Sequence, residues 1–342
     1  MIVILSKAKD GSRSIRKSIV LVNSLESRLC GTFLLPSIEE INHFQSQLLF
    51  MKRMIIYTAL ALFAFHPVLY SQNFDTVQIK TTKLTESIYM LEGSGGNIGV
   101  LIGNDGIIII DDQFAPLTEK IKEALSKISN KPVKFVVNTH FHGDHAGGNE
   151  NFGGQGAIIV AHENARKRLS ADYFFEALKQ TQKASPYEAL PKVTFADSVT
   201  FHMNGETVHV FYAKNAHTDG DIIIHFKESN IFHSGDVFVR YGFPFIDQGA
   251  GGSIDGMIKA TEGLIAVTND QSKIIPGHGA LSTKKDLIDY KNMLVTVRSR
   301  VADGIKQGKT LQQIADSDPL KGYVALMDKF FFVQAIYNSM KK

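Results

Sequence analysis

Cysteine is nearly absent from this chain: Cys30 is the only one in 342 residues, and nothing after residue 71 carries a thiol. That stretch therefore holds no disulfide, no iron–sulfur cluster and no thiolate metal ligand. Its stability must come from packing, and a chain of this length with 44% apolar residues has the material for a large core. For the same reason, the lack of disulfides does not argue against export. Proline is sparse, at 9 residues, and no low-complexity tract or internal repeat interrupts the sequence, so no obvious linker splits it. A strong charge of one sign is missing too. The formal net charge is +3, but residues 1–71 carry 8 Lys/Arg against 4 Asp/Glu, which leaves 29 basic and 30 acidic residues in the remainder. A near-neutral body has no electrostatic footprint for nucleic acid. There is no Gly-x-Ser-x-Gly elbow for a serine nucleophile. Gly93-Ser94-Gly95-Gly96 lacks the Lys-Ser/Thr that completes a phosphate loop, and reads as a turn.

The longest early apolar run, 55–65, is short of the roughly 20 residues that span a bilayer. It follows Met51-Lys52-Arg53-Met54 and ends near Ser71, the pattern of a secretory signal peptide. We therefore expect residues 51–71 to be a signal peptide, with Met51 as the true start and 1–50 as an erroneous upstream extension. Residues 72–342 are then one exported, periplasmic domain with no stable membrane association after cleavage. A mature N-terminus upstream of Met51, read by mass spectrometry, would overturn this.

The body reads as strands before helices. Short β-branched runs at 77–80, 88–92, 98–102 and 106–111 are separated by turn residues, with Asn104-Asp105-Gly106 as a hairpin signal. Apolar residues at Phe114, Leu117, Ile121, Leu125 and Ile128 follow a helical period between Pro116 and Pro132. Further strands are expected at 133–137, 158–161, within 193–212, at 222–226 and 231–232 as a hairpin, and at 273–275. Helices are expected from Glu163, over 254–267, and from Lys285 onward, while 170–192 is aromatic and irregular. Such alternation implies sheets covered by helices.

The chemistry lies in Thr139-His140-Phe141-His142-Gly143-Asp144-His145-Ala146-Gly147-Gly148, just after the buried strand 133–137. In extended backbone alternate residues share a side, so His140, His142 and Asp144 can face together, with His145 directed to a neighbouring point. Three histidines and an aspartate within six residues would crowd and desolvate one another without a metal. Imidazole and carboxylate donors without thiolate suit zinc, iron or manganese. Four donors cannot close two metal sites. Further candidates sit in glycine-containing loops at strand ends: His217, Asp236, and His278 within Pro276-Gly277-His278-Gly279. His162, His202, His209, His225 and His233 read as ordinary surface or core histidines, with His233, close to Asp236, the best placed to support the site. Tyr173, Phe174 and Phe175 read as core packing rather than a pocket wall.

The pattern His-x-His-x-Asp-His-x-Gly-Gly, with a downstream His, Asp and Gly-His, resembles the metallo-β-lactamase superfamily over roughly residues 77–283. The resemblance implies an α+β fold, a four-layer αββα sandwich with its site at one edge between the sheets. It implies two divalent ions, zinc first and iron or manganese as alternatives. His140, His142 and His217 would hold one ion, Asp144, His145 and His278 the other, and Asp236 would bridge. It also gives Asp111 the task of orienting the ligand loop and Asp144 that of orienting the attacking water.

The resemblance is closest to exported bacterial β-lactamase-like proteins, through the segments 241–247 and 251–256. Broad-spectrum β-lactamases of this fold carry cysteine where this chain has Asp236, and a lysine where it has Val239, followed by Arg240. An aspartate bridge is similar to that of lactonases, glyoxalase II and phosphodiesterases, although the arginine-bearing segment of glyoxalase II is missing. The expected activity is hydrolysis of a small carbonyl substrate, a cyclic amide or ester, by metal-activated water, with β-lactamase-like cyclic amide hydrolysis as the first choice. The alternatives are a lactonase, a thioester or phosphodiester hydrolase of the same fold, and a metal-binding protein without catalysis. The oligomeric state is not readable from the sequence.

Overall fold

The run Ile107-Ile108-Ile109-Ile110 is buried along its whole length, so this strand must be covered on both faces. A computed structural model, which describes residues 73–341 apart from 177–178 and 325–327, shows by what. The signal peptide expected over 51–71 and the residues before it lie outside the described residues. Ile108 and Ile110 point to one side and pack with Val137, Val160, Ile222 and Ile224, the apolar layer between two sheets. Ile107 and Ile109 point to the other side, against Ile121 and Leu125 of the Thr118–Ser126 helix. Each such isoleucine contributes roughly 1.5–3 kcal/mol by leaving water.

In the first sheet β1 (Lys80–Lys83), β2 (Ile88–Glu92), β3 (Ile98–Leu101) and β4 (Ile107–Ile110) form an antiparallel meander. It continues in parallel through β5 (Val133–Val137) and β6 (Ile158–His162). A separate hairpin, β7 (Tyr173–Phe175) and β8 (Gln180–Gln182), precedes β9 (Val193–Phe195), which closes the first sheet beside β6. The second sheet runs β10 (Ser198–Met203), β11 (Glu206–Tyr212), β12 (Ile222–Phe226) and β13 (Ile231–His233) in antiparallel order, with β14 (Lys273–Ile275) parallel to β13. Ile223, Phe232 and Ile274 face outward onto Met257, Leu287 and Phe332 of the helices Ile254–Val267, Lys284–Lys306 and Lys329–Met340. The result is the expected α+β sandwich of helix, sheet, sheet and helix. Among the described residues no helix is long and apolar enough to cross a membrane.

Several boundaries differ from expectation. The first strand falls at Lys80–Lys83 rather than 77–80, and Val77 and Ile79 pack instead against the apolar cluster that includes Leu117 and Ile121. The helix expected from Phe114 opens as a 3-10 turn, Ala115–Leu117, containing Pro116. The stretch taken as irregular, 170–192, contains the β7–β8 hairpin. The C-terminal helix is three helices, Lys284–Lys306, Leu311–Asp316 and Lys329–Met340. The first of these stops before Gly308, whose φ of 72° continues no right-handed helix.

Candidate metal centre

Loops following β5, β11, β13 and β14 meet at one edge of the sandwich and bring together all seven residues expected there. Their donor atoms form three groups, each within 4.8 Å: His140, His142 and His217; His140, His145 and Asp236; Asp144, His145 and His278. The second group takes one histidine from each of the others, which places Asp236 between them. Its Oδ1 lies 3.2 Å from His145 Nε2, and its Oδ2 lies 3.7 Å from His217 Nε2. His278 Nε2 is 3.3 Å from Asp144 Oδ2 and 3.2 Å from His145 Nε2.

The hydrogen bonds behind the rings fix which nitrogens face the cluster. The carboxylate of Asp111 accepts from Thr139 N at 2.7 Å, from Thr139 Oγ1 at 2.8 Å and from His145 Nδ1 at 2.7 Å. Because the Thr139 hydroxyl donates to Asp111, His140 Nδ1 must donate to that hydroxyl, 3.0 Å away. His217 Nδ1 donates to the Phe245 carbonyl at 2.7 Å, and His142 Nε2 to Asp247 Oδ2 at 3.0 Å. The remaining nitrogens of His140, His142 and His217 therefore present lone pairs to the centre, and Nε2 of His145 faces it too. His142 Nδ1 and His217 Nε2 lie 2.9 Å apart with no proton left to share. His140 Nε2 and Asp236 Oδ1 are buried without any hydrogen-bond partner. Lone pairs and carboxylate oxygens packed this closely fit a divalent cation among them.

The electrostatics agree. Burial holds His140 well below its ordinary range and His217 down to about 4, so both stay neutral and keep their donor pairs. On the other side burial opposes charge on His145 and His278, but the carboxylates outweigh it. Asp236, Asp144 and Asp111 raise His145 well above the usual imidazole range, and Asp236 and Asp144 raise His278 to about 9. Burial pushes Asp144 up, yet His145 and His278 hold it down to about 2; Asp236 is likewise held well below the carboxylate range by His278 and His145 against the same burial. The field that favours cationic imidazoles here is the field that favours a metal cation in their place.

Two glycines permit this density. A Cβ on Gly277 would stand 2.0 Å from Asp236 Oδ1, and one on Gly96 would stand 2.2 Å from the His145 ring. Sequence reasoning placed Gly96 in a turn and Gly277 in the glycine-containing loop of His278, but gave neither this packing role. It also missed Asp247, which aims His142, and Asn97, whose Nδ2 donates to the Pro276 and Gly279 carbonyls and so holds the loop of His278. Nothing in the spacing of either residue marks it. His233 supports the site as anticipated: it is buried, its Nε2 donates to the Asn97 carbonyl at 3.0 Å, and its Nδ1 accepts from Gly235 N at 3.2 Å. His162, His202, His209 and His225 belong to none of the three groups. Asp219 pairs with Arg168, and Asp221 accepts from Thr218 N and Oγ1, so neither competes with Asp236. Of the aromatic trio, Tyr173 donates to Asp247 at 2.6 Å, Phe175 lies with its ring 5.1 Å from that of His142, and Phe174 is exposed. Tyr173 and Phe175 pack, as expected, against the buried cluster of Phe141, Ala161 and Leu169, and the same two residues also border the site.

Comparison with known proteins agrees with this geometry. Residues 91–278 match the metallo-beta-lactamase superfamily. A metallo-beta-lactamase type 2 of Bacillus sp. (strain 170) is 24% identical over 196 residues, covering 57% of this chain and 71% of the relative. Among solved structures, a metallo-beta-lactamase from Pontibacter korlensis superposes with a TM-score of 0.52 at 20% identity, over 64% of this chain and 99% of its own. A double mutant of the sec-alkyl sulfatase PisA1 gives a TM-score of 0.60 at 14% identity, over 77% of this chain and 50% of the other.

Proposed function

Since this chain belongs to the metallo-beta-lactamase superfamily, we propose that it is a dinuclear metal-dependent hydrolase acting on a small carbonyl substrate, a cyclic amide or ester. His140, His142 and His217 would hold one ion, Asp144, His145 and His278 the second, and Asp236 both. The observation that carries this reading is the convergence of four histidine rings, each of which donates one ring proton outward, to Thr139, Asp247, Phe245 or Asp111, and turns its other nitrogen to the centre. A protein that merely tolerated buried histidines would spend those lone pairs on internal donors. Bound divalent ions, zinc in the first instance, would supply Lewis acidity and water activated at neutral pH. Asp144 is the half-exposed carboxylate of the set and stays ionised, so it can accept a hydrogen bond from the attacking water and orient it. Asp111 and Asp247 keep the rings aimed.

The substrate is argued from what surrounds the cluster. Val239, at the position where broad-spectrum β-lactamases carry a substrate-binding lysine, is buried in the core, and Arg240 is paired with Asp286 at 3.1 Å. Neither presents a free cation to a substrate carboxylate, which weakens the case for ordinary β-lactams relative to uncharged cyclic amides and esters. A second reading, hydrolysis of sulfate esters, draws on the broader superposition with the sec-alkyl sulfatase. The test is metal content by plasma mass spectrometry, followed by turnover of nitrocefin, a lactone, a thioester, a phosphodiester and an alkyl sulfate. Two ions per chain with carbonyl turnover that a chelator abolishes is the expected result. Full activity after chelation would refute the metal-dependent reading, and alkyl sulfate as the sole substrate would replace the carbonyl by the sulfate ester.

A further inference from the structure

A cavity of about 960 Å³ opens beside the histidine–aspartate cluster, between the loop 243–249 and the C-terminal helix Lys329–Met340. It adjoins the His142–His217 side of the centre. Phe175, which lines it, has its ring 5.1 Å from that of His142. Phe245, which also lines it, lies 6.0 Å from the His217 ring and 6.1 Å from the His142 ring. The far wall carries Phe330 and Phe331, half-buried and exposed respectively, while Phe332 turns into the core and stacks on Phe243 at 5.1 Å. Exposed phenylalanines cost hydration free energy unless something covers them.

The cavity is built rather than incidental. Gln248 Nε2 donates to the Ala335 carbonyl at 2.8 Å and reaches Ser339 Oγ at 3.0 Å, tying the loop to the helix. The same loop supplies the Phe245 carbonyl that holds His217 and the Asp247 carboxylate that holds His142. The wall of the cavity and the aim of two metal-facing imidazoles are therefore one structural element. A substrate whose reacting bond lay at the cluster would have this cavity next to it, aromatic on its Phe175, Phe245, Phe330 and Phe331 walls and charged at Glu176, Lys179, Asp328 and Lys341, and large enough for a ring or a medium alkyl chain.

We propose that this cavity, walled by Phe175, Phe245, Phe330 and Phe331, is the specificity subsite for an apolar arm of the substrate, so that the protein selects aryl- or alkyl-substituted esters and cyclic amides over small polar ones. The inference rests on the hydrolase reading for its substrate class, but its binding test does not need turnover. Metal-loaded protein is titrated by calorimetry with sodium butanoate, hexanoate and octanoate, whose carboxylates can reach the cluster. Affinity should rise with length, by up to roughly fourfold per buried methylene, and the dependence should flatten in Phe330→Ala/Phe331→Ala. Metal content and melting temperature of the variant report whether it has folded as the wild type. In parallel, kcat/KM is measured on esters lengthened on the acyl arm and on the alcohol arm; a rise with length in either series supports the subsite. Affinity independent of length, or ester turnover independent of length in both series, would overturn it while leaving the hydrolase reading standing. Length-dependent alkanoate binding with no ester turnover would keep the subsite and remove the carbonyl hydrolase.

Discussion

Asp111 touches no substrate and no proposed cation, yet replacing it should remove metal. Its carboxylate accepts three hydrogen bonds, from Thr139 N, Thr139 Oγ1 and His145 Nδ1, in a fully buried setting. Its φ of 65° is in the left-handed region, which asparagine tolerates well and alanine poorly. Asp111→Asn keeps the shape and one accepting oxygen. The other position becomes an NH2 that faces His145 Nδ1–H, two donors opposed. The ring relieves this by moving its proton to Nε2, where it occupies the lone pair meant for the cluster. Positioning changes of this kind typically lower metal affinity about 10–100-fold. Asp111→Ala goes further: it strips partners from buried Thr139 groups and His145, at about 1–3 kcal/mol each. At roughly 2–4 °C per kcal/mol for a chain of this size, it should also melt far lower. The assay is metal content after dialysis against buffered free zinc, with melting curves alongside. The asparagine variant should lose metal with little loss of stability, and the alanine variant should lose both. An asparagine variant that keeps wild-type metal affinity would refute the orienting role, and with it the proton assignment of His145.

Asp236→Ala should weaken the second ion more than the first, since His140, His142 and His217 remain, and Asp236→Cys should shift the metal preference toward zinc over iron or manganese; both are read by plasma mass spectrometry, and two ions at wild-type affinity in the alanine variant would remove Asp236 from the site. Asp247→Ala should release His142 and lower metal affinity on its side about 10–100-fold, whereas Tyr173→Phe, which removes only the 2.6 Å bond to Asp247, should change it little; equal losses in the two variants would count against the mechanism. Asp221 is held up to about 8 by burial, against the hydrogen bonds from Thr218. The folded state therefore keeps a proton that the unfolded chain has lost above about pH 4, and this stabilising contribution declines as pH rises toward 8. Asp221→Asn should gain in melting temperature relative to wild type between pH 5 and pH 8, and a constant difference would contradict the assignment.

Much of the candidate site was legible because its residues are clustered in sequence or stand in glycine-containing loops at strand ends. His140, His142, Asp144 and His145 declare themselves by spacing; His217, Asp236 and His278 do so by residue type and place once a second ion is supposed. The sheets were legible from β-branched runs such as 107–110, where burial on both faces leaves no polar residue to blur the pattern. What was not legible depends on contacts far apart in sequence. Asp247 matters because it meets His142 across 105 residues, and Asn97 because it meets Pro276 across 179. Neither has a local period or motif, and only the closure of the two sheets brings them to the centre. The role of Phe175 was obscured for a similar reason: aromatics of a buried wall and of a cavity wall look alike until the C-terminal helix is in place. The three-way division of that helix region hinges on single turns such as Gly308, which a helical period does not weigh heavily.

Val239 separates sequence correspondence from physical position. Judged by correspondence alone, Val239→Lys would restore the lysine with which β-lactamases of this fold hold a substrate carboxylate. The structure gives a different expectation. Val239 is 1% exposed and belongs to the core formed with Phe238, Tyr290 and Leu294. It lines a second, smaller cavity with Tyr290, Met293 and Asp286, bounded by the Lys284–Lys306 helix. An ammonium placed there would be directed to the Asp286 side, where Arg240 already stands 3.1 Å from the carboxylate. Burying that charge costs several kcal/mol even after relaxation, so a melting temperature lower by roughly 10 °C is expected at 2–4 °C per kcal/mol. Nitrocefin turnover should not rise, because the new cation does not face the histidine cluster. Measuring melting and nitrocefin kcat/KM in the same preparation decides the matter. A stable variant with a tenfold or greater gain, carried by a lower KM, would mean that position 239 does address the substrate. The preference for uncharged cyclic amides and esters would then lose its basis.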